Sequence, residues 1–95
     1  MDRRTAMRVI ARAGARGFAA VEFTTHAFLE AMVDDGVSAQ DVFHVLAHIE
    51  DLVAEDDFGR KWKAYGPLVS GDRYAVVTLL LVDKRVRVIT THNPP

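Results

Sequence analysis

The sequence predicts an α+β domain in which N-terminal helices pack on a C-terminal antiparallel sheet. Three observations predict it. Apolar residues recur at helical spacing through the first half and alternate with polar ones in the second. The run AVVTLLLV is apolar on both faces, as a central strand covered on two sides would be. Ninety-five residues with 49% hydrophobic content supply one modest core and not two, so residues 1–95 read as a single domain.

Arg3 to Ala13 reads as a helix with Met7, Ile10 and Ala13 on its apolar side, ended by Gly14 and Gly17. Phe18 to Phe23 reads as a short extended piece. Thr24 or Thr25 caps a second helix, THAFLEAMVDD, whose buried side is expected to use Phe28, Leu29 and Met32. Gly36 stands where a left-handed C-terminal cap belongs. Ser38 and Asp41 form an S-x-x-D capping signature that opens a third helix. Val42, Val45, Leu46, Ile49 and Leu52 make its apolar stripe.

The period then changes to two. Arg60 to Tyr65 alternates around Trp62, GPLVSGD supplies a turn, and Tyr74–Val82 forms the central strand. Asp83–Lys84 makes a tight turn into Arg85–Thr91, closing a hairpin, and HNPP ends regular structure.

Charge is segregated although the net value is −1. Residues 1–16 carry five Arg against one Asp, residues 17–59 carry ten acids and no Lys or Arg, and residues 60–95 carry seven bases against two acids. That balance argues against a general polyanion binder while allowing one local positive face. No cysteine is present, which removes disulfides and thiolate catalysis and suits a cytoplasmic setting. The N-terminal stretch lacks the apolar region of a secretory signal. It is Arg-rich like a transit peptide but has no Ser-rich stretch. The longest apolar run is far shorter than a membrane span, so no membrane is expected.

Several clusters have chemical potential. Arg4, Arg8, Arg12 and Arg16 recur every four residues and read as a solvated face or as a strip meeting RNA phosphates or an acidic partner. His44 and His48 have a zinc-compatible spacing, with Asp41 and Asp51 on the same side, but no Cys pair or HExxH motif accompanies them. Glu50, Asp51, Glu55, Asp56 and Asp57 lack a calcium-loop pattern and read as a solvated run, paired with the bases that follow. Strand alternation puts Lys61, Lys63 and Tyr65 on one side of their strand and Arg85 and Arg87 on one side of theirs. If those sides coincide, one face carries four cations plus Tyr65 or Tyr74. Charge for phosphates and rings for bases are what RNA binding needs, so Trp62, Tyr65, Arg85 and Arg87 are the candidate RNA contacts. The alternative is a sheet face that Lys and Arg simply solvate.

The ordered motifs resemble the MqsR family of toxin endoribonucleases, which have a RelE-like fold. The resemblance runs nearly end to end, through FTTHAFLEAMVDDGVSAQDVFHVLAHI, DDFGRK and WKAYGPLVSGDRYAVVTLLLVDKRVRVIT. It is also similar to uncharacterised small domains related to RelE and BrnT toxins. The resemblance implies a metal-independent mRNA endoribonuclease, the toxin of a toxin–antitoxin pair, with no cofactor and no metal. Its partners would be an antitoxin protein and mRNA, with room for a homodimer. In that family a catalytic lysine follows Asp-Phe; here the position falls at Arg60, or at Lys61 with a one-residue slip. The glutamine after the leading Trp becomes Lys63, and the tyrosine of the central strand is Tyr74. A lysine near the family's C-terminus has no counterpart; Thr91 and His92 stand nearby. The implied catalytic set is therefore Arg60, Lys61, Lys63, Tyr74 and His92. Imidazole is the side chain that exchanges protons near neutrality, which makes His92 the first candidate for proton transfer and His26 the second. The other reading is a non-catalytic relative, the same fold used as a protein- or RNA-binding module.

Overall fold

The computed structural model describes residues 1–94. It is an α+β fold, with helices drawn from the first half of the chain and a five-stranded sheet made mostly from the second.

Helix α1 spans Arg3–Arg16 and is opened by Asp2, whose side chain accepts the Thr5 N–H. Ala6, Ile10, Ala13 and Gly14 form its buried stripe. Gly14 therefore does not end the helix as expected; it is the point where α1 presses on a later helix. Gly17 ends it, at φ 61°, with its N–H bonded to the Ala13 and Gly14 carbonyls. Strand β1 (Val21–Phe23) follows.

The second helical segment starts at Thr24, whose hydroxyl accepts the Ala27 N–H. Its first part, Ala27–Ala31, is a π-helical turn that runs into α2 (Met32–Asp35). The wider winding is marked by the Met32 N–H reaching the Ala27 carbonyl. That winding buries Ala27, Ala31 and Met32 and turns Phe28 and Leu29 outward, so they are 46% and 63% exposed. The expectation that Phe28 and Leu29 would be buried rested on a 3.6-residue repeat that this turn does not follow.

Helix α3 (Ala39–Ala47) carries the expected capping box: Ser38 Oγ accepts the Asp41 N–H, and Asp41 accepts the Ser38 N–H. It stops at His48, earlier than the apolar stripe suggested. Glu50 N–H bonds to the Tyr65 carbonyl and draws the chain onto the sheet. Leu52 is consequently buried from a strand, β2 (Asp51–Ala54), between outward residues on either side. Its three-residue separation from Ile49 imitated a helical repeat.

Strands β3 (Lys61–Pro67), β4 (Tyr74–Val82) and β5 (Arg85–His92) complete the sheet, whose order is β1-β5-β4-β3-β2. Four of the strands pair antiparallel, while β1 runs parallel to β5, so the sheet is mixed rather than purely antiparallel. A parallel pair cannot be closed by a tight hairpin, and none is needed here, because the helices carry the chain from β1 to the opposite edge. The helices cover one face of the sheet. Trp62, Ala64, Val77, Leu79, Val86 and Val88 point into that core with Ile10, Val42 and Leu46. Among the described residues no helix is long and apolar enough to cross a membrane.

Candidate nucleic-acid interface

Register decides which side chains share the uncovered face. Directly paired residues of neighbouring strands lie on the same face of a sheet. Lys61 pairs with Leu80, which pairs with Arg87, which pairs with Glu22. The next row runs Val53, Lys63, Thr78, Thr90. The row after it runs Asp51, Tyr65, Val76, His92. Tyr74 stands opposite Pro67, and Arg85 opposite Val82. The two cationic stripes therefore coincide. Lys61, Lys63, Arg85, Arg87, Tyr65, Tyr74 and His92 belong to one face, directed away from the helices.

His92 reaches that face because β5 is irregular. Strict alternation from Arg85 and Arg87 would bring Ile89 and Thr91 to the open side and His92 to the covered one. The register shifts between Thr78 and Leu79, leaving one extra residue, Ile89, in β5. A bulge of this kind reverses the alternation beyond it. Thr90 and His92 then face outward, and Thr91 turns into the core, where its hydroxyl donates to Asp35 at 2.7 Å. Sequence gave no sign of this step.

Two of the expected site residues lie elsewhere. Trp62 is buried on the covered face, 3% exposed, with its indole N–H donated to the Gly59 carbonyl at 2.9 Å. It is a core residue and presents no ring to a base. Arg60 precedes β3 and lines a separate cavity with Met1, Phe58, Leu81 and Asp83. Its backbone N–H is held by Asp56.

Two of the four cations on the open face are paired with carboxylates. Lys63 Nζ lies 3.1 Å from Glu55, and Arg87 Nε lies 3.2 Å from Glu22. Both pairs are well exposed and contribute little net stability. Among the described residues Lys61 and Arg85 have no salt bridge. The Tyr65 and Tyr74 rings stack at 5.1 Å, 19° apart. Tyr74 donates its hydroxyl to Glu50 at 3.0 Å, and that bond together with the carboxylate's charge raises the phenol above its ordinary value. Tyr74 is thus held protonated, suited to donate a hydrogen bond and unsuited to act as a base.

A second imidazole stands at the rim. The π-helical turn lies beside the part of β5 that extends past the end of β1, anchored by Thr24 N–H and hydroxyl bonds to the Val88 and Ile89 carbonyls. Nδ1 of His26 is 2.6 Å from Glu30, and Nε2 is 3.4 Å from the Thr90 hydroxyl. With Nδ1–H given to the carboxylate, Nε2 presents a lone pair toward the open face. Beside Thr90, the Thr78 hydroxyl is buried with no hydrogen-bond partner.

His44 and His48 form no comparable group. Each Nδ1 is engaged by a carbonyl, that of Pro67 for His44 and that of His44 for His48. Their rings stack 4.2 Å apart, 24° from parallel. Among the described residues no three His, Cys, Asp or Glu side chains converge as a metal set.

Comparisons with protein-family models, with curated proteins and with solved structures return no match.

Proposed function

We propose that the protein is a metal-independent endoribonuclease of the RelE-like, MqsR-like kind, acting on mRNA as the toxin of a toxin–antitoxin pair. One observation carries the reading: strand register gathers four cations, two stacked tyrosines and a histidine onto a single uncovered face. In this reading the bases of a single strand lie against Tyr65 and Tyr74, and Lys61, Lys63, Arg85 and Arg87 meet its phosphates.

Cleavage needs no atom that the RNA and the side chains lack. The ribose 2′-hydroxyl attacks the adjacent phosphorus, the bond to the 5′-oxygen breaks, and a 2′,3′-cyclic phosphate forms. An imidazole takes the 2′-hydroxyl proton. His26 is the better oriented of the two, because Glu30 fixes its tautomer, and His92 lies on the same face. Lys61 and Lys63 offset the charge that builds on the phosphate oxygens. Tyr74, protonated and within the face, donates to the leaving oxygen once it exchanges Glu50 for the substrate. An antitoxin protein that covers the same face is the expected inhibitor. Expression of the chain alone should arrest growth and shorten transcripts, and Lys63→Ala, Tyr74→Phe and His26→Gln should each relieve it, with a smaller effect from His92→Ala. Unchanged growth with intact transcripts would sink the proposal.

The pairing of Lys63 with Glu55, Arg87 with Glu22 and Tyr74 with Glu50 favours a second reading, a RelE-like module that binds RNA or protein without cleaving. RNA binding without strand scission, unaltered by His26→Gln, would select it.

A further inference from the structure

We infer a second anion site, specific for a phosphate group, at the C-terminal end of α1 on the side of the molecule away from the open sheet face. A cavity of ≈ 240 Å³ is lined there by Arg12, Arg16 and Lys84, with Val9, Ala13 and Ala20 as its apolar remainder. Its volume is about eight times the roughly 30 Å³ that a water molecule occupies in the liquid, room for a phosphate and part of its ester.

The three cations come from elements far apart in sequence. Arg12 and Arg16 are successive members of the arginine row on α1, and Lys84 sits in the β4–β5 turn. That turn is held by Asp83 at φ 60°, a left-handed conformation uncommon outside glycine. Asp83 itself is among the residues lining a different cavity. Among the described residues none of the three cations makes a salt bridge or a side-chain hydrogen bond. Arg3, Lys63 and Arg87 are matched with Asp51, Glu55 and Glu22, while among the described residues Arg4, Arg8, Arg60, Lys61 and Arg85 also lack a salt bridge; what sets Arg12, Arg16 and Lys84 apart is that the three line one cavity.

A helix dipole explains only part of this. Arg16 in the last turn of α1 complements the negative helix end, but the Gly17 N–H already satisfies the Ala13 and Gly14 carbonyls. Lys84, from another element, gains nothing from that dipole through its own backbone. Three unmatched positive charges around one concavity, in a chain whose net charge is −1, focus a positive potential that a phosphate group neutralises. Arginine binds phosphate in a bidentate fork and lysine as a point charge, and both types are present.

The inference stands apart from the ribonuclease reading, and its test uses ligands that cannot be cleaved. Amide chemical shifts of the intact chain are followed while sodium phosphate, and separately a short 2′-O-methyl RNA, is added at constant ionic strength. Saturable shifts at Val9, Ala13, Ala20 and Lys84 are expected. Binding should weaken about tenfold in Arg12→Gln and again in Lys84→Gln, the effect of losing one charge-assisted hydrogen bond. Saturation by phosphate alone identifies a free phosphate compound as the ligand class, and saturation by the oligonucleotide alone identifies a phosphodiester. Shifts that match a sodium chloride control, that persist in the double variant, or that fall only on the open sheet face would overturn the site. Both positions are exposed, so the variants should keep the fold.

Discussion

Replacing Gly14 by alanine sets two effects of opposite sign against each other. In an isolated helix the change is favourable by about 1 kcal/mol, because glycine is the poorer helix former. Here the new methyl carbon would stand 2.7 Å from the Ala47 nitrogen, 2.8 Å from the Leu46 Cβ and 2.9 Å from the Phe43 carbonyl oxygen. Two of those atoms are backbone of α3, so no rotamer change relieves the contact. Carbon contacts are comfortable at about 3.5–4.0 Å, which requires α1 and α3 to part by roughly 0.6–1 Å. A gap of that size forfeits about a quarter to a half of the dispersion energy along the helix pair, and overpacking of this kind costs about 1–3 kcal/mol, occasionally more. The close approach to backbone belongs at the upper end of that range, so the net loss is about 2 kcal/mol, or a fall of roughly 8–16 °C in Tm. Urea unfolding followed by circular dichroism would measure it, with an unchanged slope against denaturant. Ala15→Gly, one position along on the exposed side, is the control and should cost about 1 kcal/mol through propensity alone. A Gly14→Ala protein as stable as the parent, or more so, would refute the α1–α3 contact described here.

Thr78→Val removes a buried hydroxyl that has no partner while keeping its shape, and should stabilise the fold by about 1 kcal/mol in the same assay; a loss of stability would reveal a partner for that oxygen. Asp41→Ala should cost about 1–2 kcal/mol, since this carboxylate accepts both the Ser38 N–H at the helix cap and the Val69 N–H in the β3–β4 loop. Partial burial pushes the Asp41 carboxyl up, but those amides and the charge of Arg73 outweigh it and hold the group below its ordinary 3.8. Its stabilisation is therefore complete above that value and disappears as pH falls through the lower folded-state value, so parent and variant should converge in acid. Tyr65→Ala should weaken single-stranded RNA binding by about 1–3 kcal/mol through lost stacking, whereas Trp62→Phe should lower stability and leave RNA affinity unchanged. Equal effects of the two on affinity, read by fluorescence anisotropy, would contradict the placement of Trp62 in the core.

What could be read in the sequence was whatever local chemistry dictates. The capping box at Ser38 and Asp41, the glycine stop at Gly17 and the turn at Asp83–Lys84 are short-range signals, and each is found at its place. The alternation of Lys61, Lys63 and Tyr65 and of Arg85 and Arg87 was equally legible. Whether the two stripes share a face depends on register, which is a long-range property; hairpin pairing resolved it. Elements whose form comes from tertiary contacts were hidden. Strand β2 buries only Leu52, and β1 is three residues long and paired with the far end of the chain. The π-helical turn and the bulge at Ile89 each insert one residue into a repeat, and a one-residue shift exchanges the inner and outer sets. That is why Phe28 and Leu29 face outward and why His92 joins the cationic face. Partnerships such as Tyr74 with Glu50 and His26 with Glu30 and Thr90 depend on the same placements.

The most direct measurement is cleavage of a defined single-stranded RNA by the purified chain in EDTA, with Tyr74→Phe beside it. The account predicts fragments ending in a 2′,3′-cyclic phosphate from the parent and a cleavage rate lowered by about a hundredfold or more in the variant, the scale of a lost general acid. Intact RNA after incubation with the folded parent, or equal rates for parent and variant, would contradict it.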